Sequence, residues 1–100
     1  MHFVFSYDLS IGAGQRRTEI VNEIERIINV HRNVRRLSTF YIIHINDNQE
    51  WELLRQNLVN LAQRIPERLH FIMTPPQRGG HYDGLLSTGE WDDINIISSL

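Results

Sequence analysis

The spacing of apolar residues along this chain switches repeatedly between a period of two and a period near 3.6, and that order restricts the fold more than any other feature. Phe3, Phe5 and Tyr7 alternate with Val4 and Ser6, so residues 2–8 read as a strand. From Arg16 to Val30 the residues Ile20, Ile24, Ile27 and Ile28 share one helical face, with Glu19, Glu23 and Arg26 opposite. Val34 to Ile45 returns to the extended pattern. Leu37, Thr39, Tyr41, Ile43 and Ile45 have one parity and Phe40 and Ile42 the other, so both faces are apolar, as in a central strand. One strand over twelve residues would be unusually long, which predicts a break near Leu37-Ser38. Trp51, Leu54, Leu58, Leu61 and Ile65 then repeat at spacings of 3, 4, 3 and 4. Asp47 is placed to cap this helix with Glu50 as its capping-box partner, and Pro66 stops it. Leu69 to Met73 is a further short strand. In the tail, Trp91, Ile94 and Ile97 suit a short helix better than Ile94-Asn95-Ile96 suits a strand.

Strand, helix, two strands, helix, strand is the split βαβ order of a ferredoxin-like α+β sandwich, an antiparallel sheet with two helices on one face. The chain's 100 residues suit one such domain, residues 1–100, plus a short C-terminal element. If the sheet's second face is as apolar as Phe40 and Ile42 suggest, a second copy of the chain is the simplest cover, which predicts a homodimer.

Composition narrows the chemistry. The absence of cysteine excludes disulfides, thiolate metal sites and a cysteine nucleophile. No run approaches the roughly 18 apolar residues of a membrane helix, and no signal pattern opens the chain, so the expectation is a cytoplasmic protein with no membrane partner. Net charge is −2, yet all ten basic residues are arginine, whose planar fork matches phosphate or carboxylate. The loop "GAGQRR" follows a strand and precedes a helix, but Arg17 stands where a dinucleotide fingerprint needs its third glycine. It reads as a connector.

Asp8 is the better candidate. A carboxylate at the end of a strand can hold a hard cation through oxygen, although such an aspartate also serves as a turn or cap former. Arg16 and Arg17, opening the first helix, are placed to neutralise phosphate at its positive end or to pair with Asp8. Five histidines, at 2, 31, 44, 70 and 81, show no helical ligand spacing, so zinc is not indicated, and His44 and His70 read as satisfied strand residues. "QRGGHYDG", residues 77–84, gathers Arg78, His81, Tyr82 and Asp83 in a glycine-rich loop. It reads first as a cover for the sheet edge, and second as a phosphate-contacting nest or a general-acid loop.

"FVFSYDLS", "RRLSTFYII" and "RLHFIMTP" together resemble, in order and spacing over roughly residues 2–75, the CRISPR-associated Cas-two proteins and their relatives. These relatives include virulence-associated protein D and small stand-alone Cas-two-like proteins labelled SinR-like. The resemblance implies a ferredoxin-like homodimer in which Asp8 lies near the dimer axis, paired with its symmetry mate. Ser38-Thr39-Phe40 looks like the family's Ser-Val-Phe strand, and Arg16 and Arg17 fall where the family often carries arginines. It further implies an Mg2+- or Mn2+-dependent nuclease on RNA or DNA, with Asp8 as metal ligand and catalytic residue. Arg16, Arg17 and Arg78 would hold the nucleic-acid backbone. Other members are non-catalytic, so the alternative is an inactive nucleic-acid-binding or toxin–antitoxin-type module of the same fold. The chain departs from the family in lacking a strongly basic character and in its tail from Gln77. Those departures speak against CRISPR integration and leave a stand-alone role.

Overall fold

A computed structural model describes residues 1–10, 16–80 and 82–100. The elements are β1 (His2–Leu9), α1 (Arg17–Ile28), β2 (Asn33–Arg36), β3 (Phe40–His44), α2 (Asn48–Arg64), β4 (Leu69–Met73) and α3 (Thr88–Ser98). All strand pairs are antiparallel, and the sheet order is β2-β3-β1-β4, that of a ferredoxin-like α+β fold. Most of the connector that holds "GAGQRR", and His81 of the glycine-rich loop, lie outside the described residues.

Strand alternation builds the inner layer. Phe3, Phe5, Tyr7 and Leu9 of β1 join Tyr41 and Ile43 of β3 and Leu69 of β4 on one side of the sheet. Ile20, Ile24 and Ile28 of α1 and Leu54, Leu58 and Leu61 of α2 close over them, the residues that helical spacing puts on one face. α1 is shorter than the apolar pattern predicts, because Asn29 caps it and leaves Val30 80% exposed.

The predicted break between β2 and β3 is present. Leu37 adopts a left-handed φ of 66°, unusual for a side chain of that kind. Arg35 stabilises the turn: its Nε and Nη2 donate to Ser38 O at 3.0 and 2.8 Å. Its Nη1 reaches Glu25 Oε1 on α1 at 2.8 Å, with the guanidinium over the Tyr41 ring. Asp47 caps α2 as predicted, its Oδ1 accepting from Glu50 N at 2.9 Å. The return arm is displaced by one residue, since Glu50 Oε2 accepts from the amide of Asn46 at 2.6 Å.

The second face differs from its expectation. Phe40 and Ile42, assigned above to a partner copy, lie beneath the chain's own tail. Ile94 and Ile97 of α3 pack with Ile42, and Val4, Val34, Phe40, Tyr82, Leu86 and Trp91 close around them. The helical reading of the tail is correct, and a Ser87–Glu90 capping box starts the helix. The path to it is pinned: β4 gives way to Thr74, whose amide donates to Val4 O, and Gln77 then pairs with His2 through two backbone bonds of 2.9 Å.

Candidate functional site

β1 presents its even-numbered residues to the outer face: His2, Val4, Ser6 and Asp8. α3 covers this face over β2 and β3, while the stretch over the end of β1 and the start of β4 is open. An open depression of about 360 Å³ lies there, lined by Ser6, Tyr7, Asp8, His70, Phe71 and Ile72. Asp8 is exposed, as strand parity requires of a polar residue on an uncovered side.

The β1–β4 register decides what accompanies it. Asp8 stands opposite His70, and Ser6 opposite Ile72. Ser10 N donates to Arg68 O at 3.0 Å and Thr74 N to Val4 O at 2.9 Å. Antiparallel pairs alternate in type, so Asp8–His70 is a hydrogen-bonded pair with Cα atoms about 5.5 Å apart and both side chains on one face. Arg68, two residues before His70, shares that face and is exposed. Ile72 is 69% exposed beside them. His70 is therefore not the satisfied structural histidine that its strand position suggests. The signal for His70 and Arg68 was the pairing of two strands distant in sequence, which local spacing does not contain.

The arginines predicted with Asp8 fare differently. Arg17 Nη1 donates to Leu9 O at 3.2 Å, which docks its guanidinium on the carbonyl just beyond Asp8. Arg16 is at the N-cap of α1 but is engaged elsewhere, its Nη1 lying 3.0 Å from Oε1 of Glu67, whose side chain is only 8% exposed. Arg78 is not brought to the site. It follows Gln77, which pairs with His2 at the far end of β1, roughly 20 Å from Asp8 at about 3.3 Å per strand residue.

The remaining described histidines face other partners. His2 is fully buried, and its Nε2 is hydrogen-bonded with Tyr82 Oη at 2.5 Å, with Gln77 Nε2 at 3.2 Å. Burial first, then the Met1 ammonium and His44, hold its pKa below the usual 6.5. His44, opposite His2, is lowered chiefly by burial as well. His31 Nδ1 lies 3.8 Å from Glu50 Oε2.

A divalent ion at Asp8 would find one carboxylate and one imidazole on this chain. Among the described residues no group of three His, Cys, Asp or Glu side chains is arranged to hold a metal. The pair therefore fits an ion that completes its shell with water, or with donors from a second copy. Among the described residues no helix is long and apolar enough to cross a membrane. No protein-family model matches the chain, and no curated protein matches it.

Proposed function

We propose that this chain is a Cas-two-like, divalent-metal-dependent phosphodiesterase that acts on RNA or DNA as a homodimer. The observation that carries the reading is the exposed Asp8 at the end of the central strand, opposite His70 on the uncovered part of the outer face. The sheet order agrees with the fold that the sequence resemblance implies. Asp8 would hold Mg2+ or Mn2+ directly. Bound there, the ion would supply water activation and neutralisation of charge on the phosphate. Arg17 fixes the strand end, and the exposed Arg68, next to Ser10 in the adjoining depression, would offer a planar fork to the phosphate backbone. Arg16 is tethered to Glu67 and serves the site only by giving up that ion pair. A second copy set over Ser6, Asp8 and Ile72 would bring the two Asp8 residues together and cover the exposed Ile72.

A second reading is a catalytically inactive nucleic-acid-binding or toxin–antitoxin-type module of the same fold. The position of α3 favours it, because Phe40 and Ile42 no longer offer their apolar surface to a partner copy. A cleavage assay with and without EDTA, comparing wild type with Asp8→Ala, separates the two. The nuclease reading expects chelation and substitution each to remove cleavage. Equal cleavage by both proteins sinks the metal–Asp8 mechanism, and a monomer by light scattering at micromolar concentration sinks the shared site.

A further inference from the structure

Asp8 and His70 form one hydrogen-bonded cross-strand pair, and both side chains stand in open solvent on the same side of the sheet. Directly opposed side chains have Cβ atoms about 5 Å apart, close enough for a carboxylate oxygen and an imidazole nitrogen to converge on one ion. We propose that His70 is the second protein ligand at Asp8, and that this oxygen–nitrogen pair makes the site prefer a first-row transition ion to Mg2+. The inference rests on the reading of Asp8 as a cation ligand and adds the identity of its neighbour and the class of metal.

Two observations lead there. His70 is exposed, whereas His2 is spent on Tyr82 and Gln77, and His31 and His44 lie at the other end of the sheet near Glu50. The opposition is held by the pairing of β1 with the edge strand β4, not by a loop, so both ligands sit on strand backbone. The chemistry then follows from ligand type. Mg2+ seeks oxygen donors in near-ideal octahedral geometry and keeps its waters, while imidazole favours the later first-row ions in the Irving–Williams order. Replacing one oxygen position by nitrogen shifts the balance away from Mg2+.

Co2+ is a suitable probe, because its unpaired electrons displace the proton resonances of an imidazole bound to it. The experiment uses the full chain without a histidine tag and titrates Co2+ and Mg2+ by calorimetry and proton NMR. Wild type is compared with Asp8→Ala, His70→Ala and His70→Asp, each first checked for an unchanged melting temperature. The proposal expects tighter binding of Co2+ than of Mg2+ in wild type, with displaced imidazole resonances that vanish in His70→Ala. Co2+ affinity should fall about tenfold or more in that variant, at least the loss seen when a ligand's outer-shell partner is removed. In His70→Asp the preference should move back toward Mg2+. If Co2+ binds wild type and His70→Ala equally while Asp8→Ala abolishes binding, the role of His70 is overturned and the reading of Asp8 stands. If neither ion binds wild type, both fall.

Discussion

The two faces of the sheet are written by alternate residues of the same strands, yet they are built to different ends. On the inner face every β1 position is apolar or aromatic and buried: Phe3, Phe5, Tyr7 and Leu9. Phe5 stands 5.8 Å from Tyr7 and 5.7 Å from both Tyr41 and Phe71, ring centre to ring centre. On the outer face the same strand runs His2, Val4, Ser6, Asp8, from fully buried to exposed. Two helices cover the first face and one short helix covers part of the second. The larger core lies on the inner side, while the outer side trades cover for access along β1.

The contrast can be broken experimentally. The largest effect is expected from ending the chain at Gly89, which removes Trp91, Ile94 and Ile97 and bares Ile42. Two fully buried isoleucines at about 1.5–3 kcal/mol each give a loss of about 3–6 kcal/mol, comparable to the whole margin of a small domain. A truncated chain with an unchanged melting curve would show that α3 is no part of the core. Next in size, Phe5→Ala should cost about 3–5 kcal/mol by denaturant titration, and Ile94→Ala about 2–3, because α3 packs on one layer with water behind it. An Ile94→Ala loss exceeding that of Phe5→Ala would reverse the ranking of the faces.

The faces also respond to opposite ends of the pH scale. Burial first, and then Tyr7, push Tyr41 on the inner face up to about 12. The fold holds this phenol neutral, while the unfolded chain ionises near 10.0, so stability is intact below that pH and is lost as pH rises toward 12. The loss approaches about 3 kcal/mol there. His2 and His44 on the outer face are shifted down from 6.5, so the unfolded chain takes up protons first, and stability present above that value declines as pH falls below it. Thermal melts from pH 4 to pH 11 with His2→Gln and Tyr41→Phe test the assignment, each variant flattening its own limb. The smallest effect is the most telling: Asp8→Ala and His70→Ala should leave stability within about 0.5 kcal/mol, as exposed positions do. A larger loss would make the pair a part of the fold's support.

Strands, helices, the Leu37–Ser38 break, the stop at Pro66 and the helical tail were all legible, because each is set by residues within a few positions of one another. Asp8 was legible as the end of a strand. Its neighbours were not. His70 comes opposite Asp8, and Arg68 meets Ser10 beyond it, only through the β1–β4 register, which joins residues that local spacing cannot relate. The same register carries Arg78 away, since the Gln77–His2 bridge ties it to the opposite end of β1. The tail was readable as apolar, but its choice of Phe40 and Ile42 as partners depends on three-dimensional packing. Glu50 reaching Asn46 instead of Asp47 is a local detail that the capping pattern leaves open.

The central position of β1 has a consequence for how the molecule comes into being. β1 is flanked by β3 and β4, both later in the chain, and each of those pairings must close a loop that contains at least one whole helix. Only the β2–β3 hairpin can pair locally. Such closures add entropy to the barrier, and chains dominated by distant pairings fold more slowly. During synthesis, Asp8 therefore waits unpartnered until β4 has left the ribosome. Only a chain that extends through β4 can assemble the pair, so a fragment that ends before His70 carries the aspartate without its histidine.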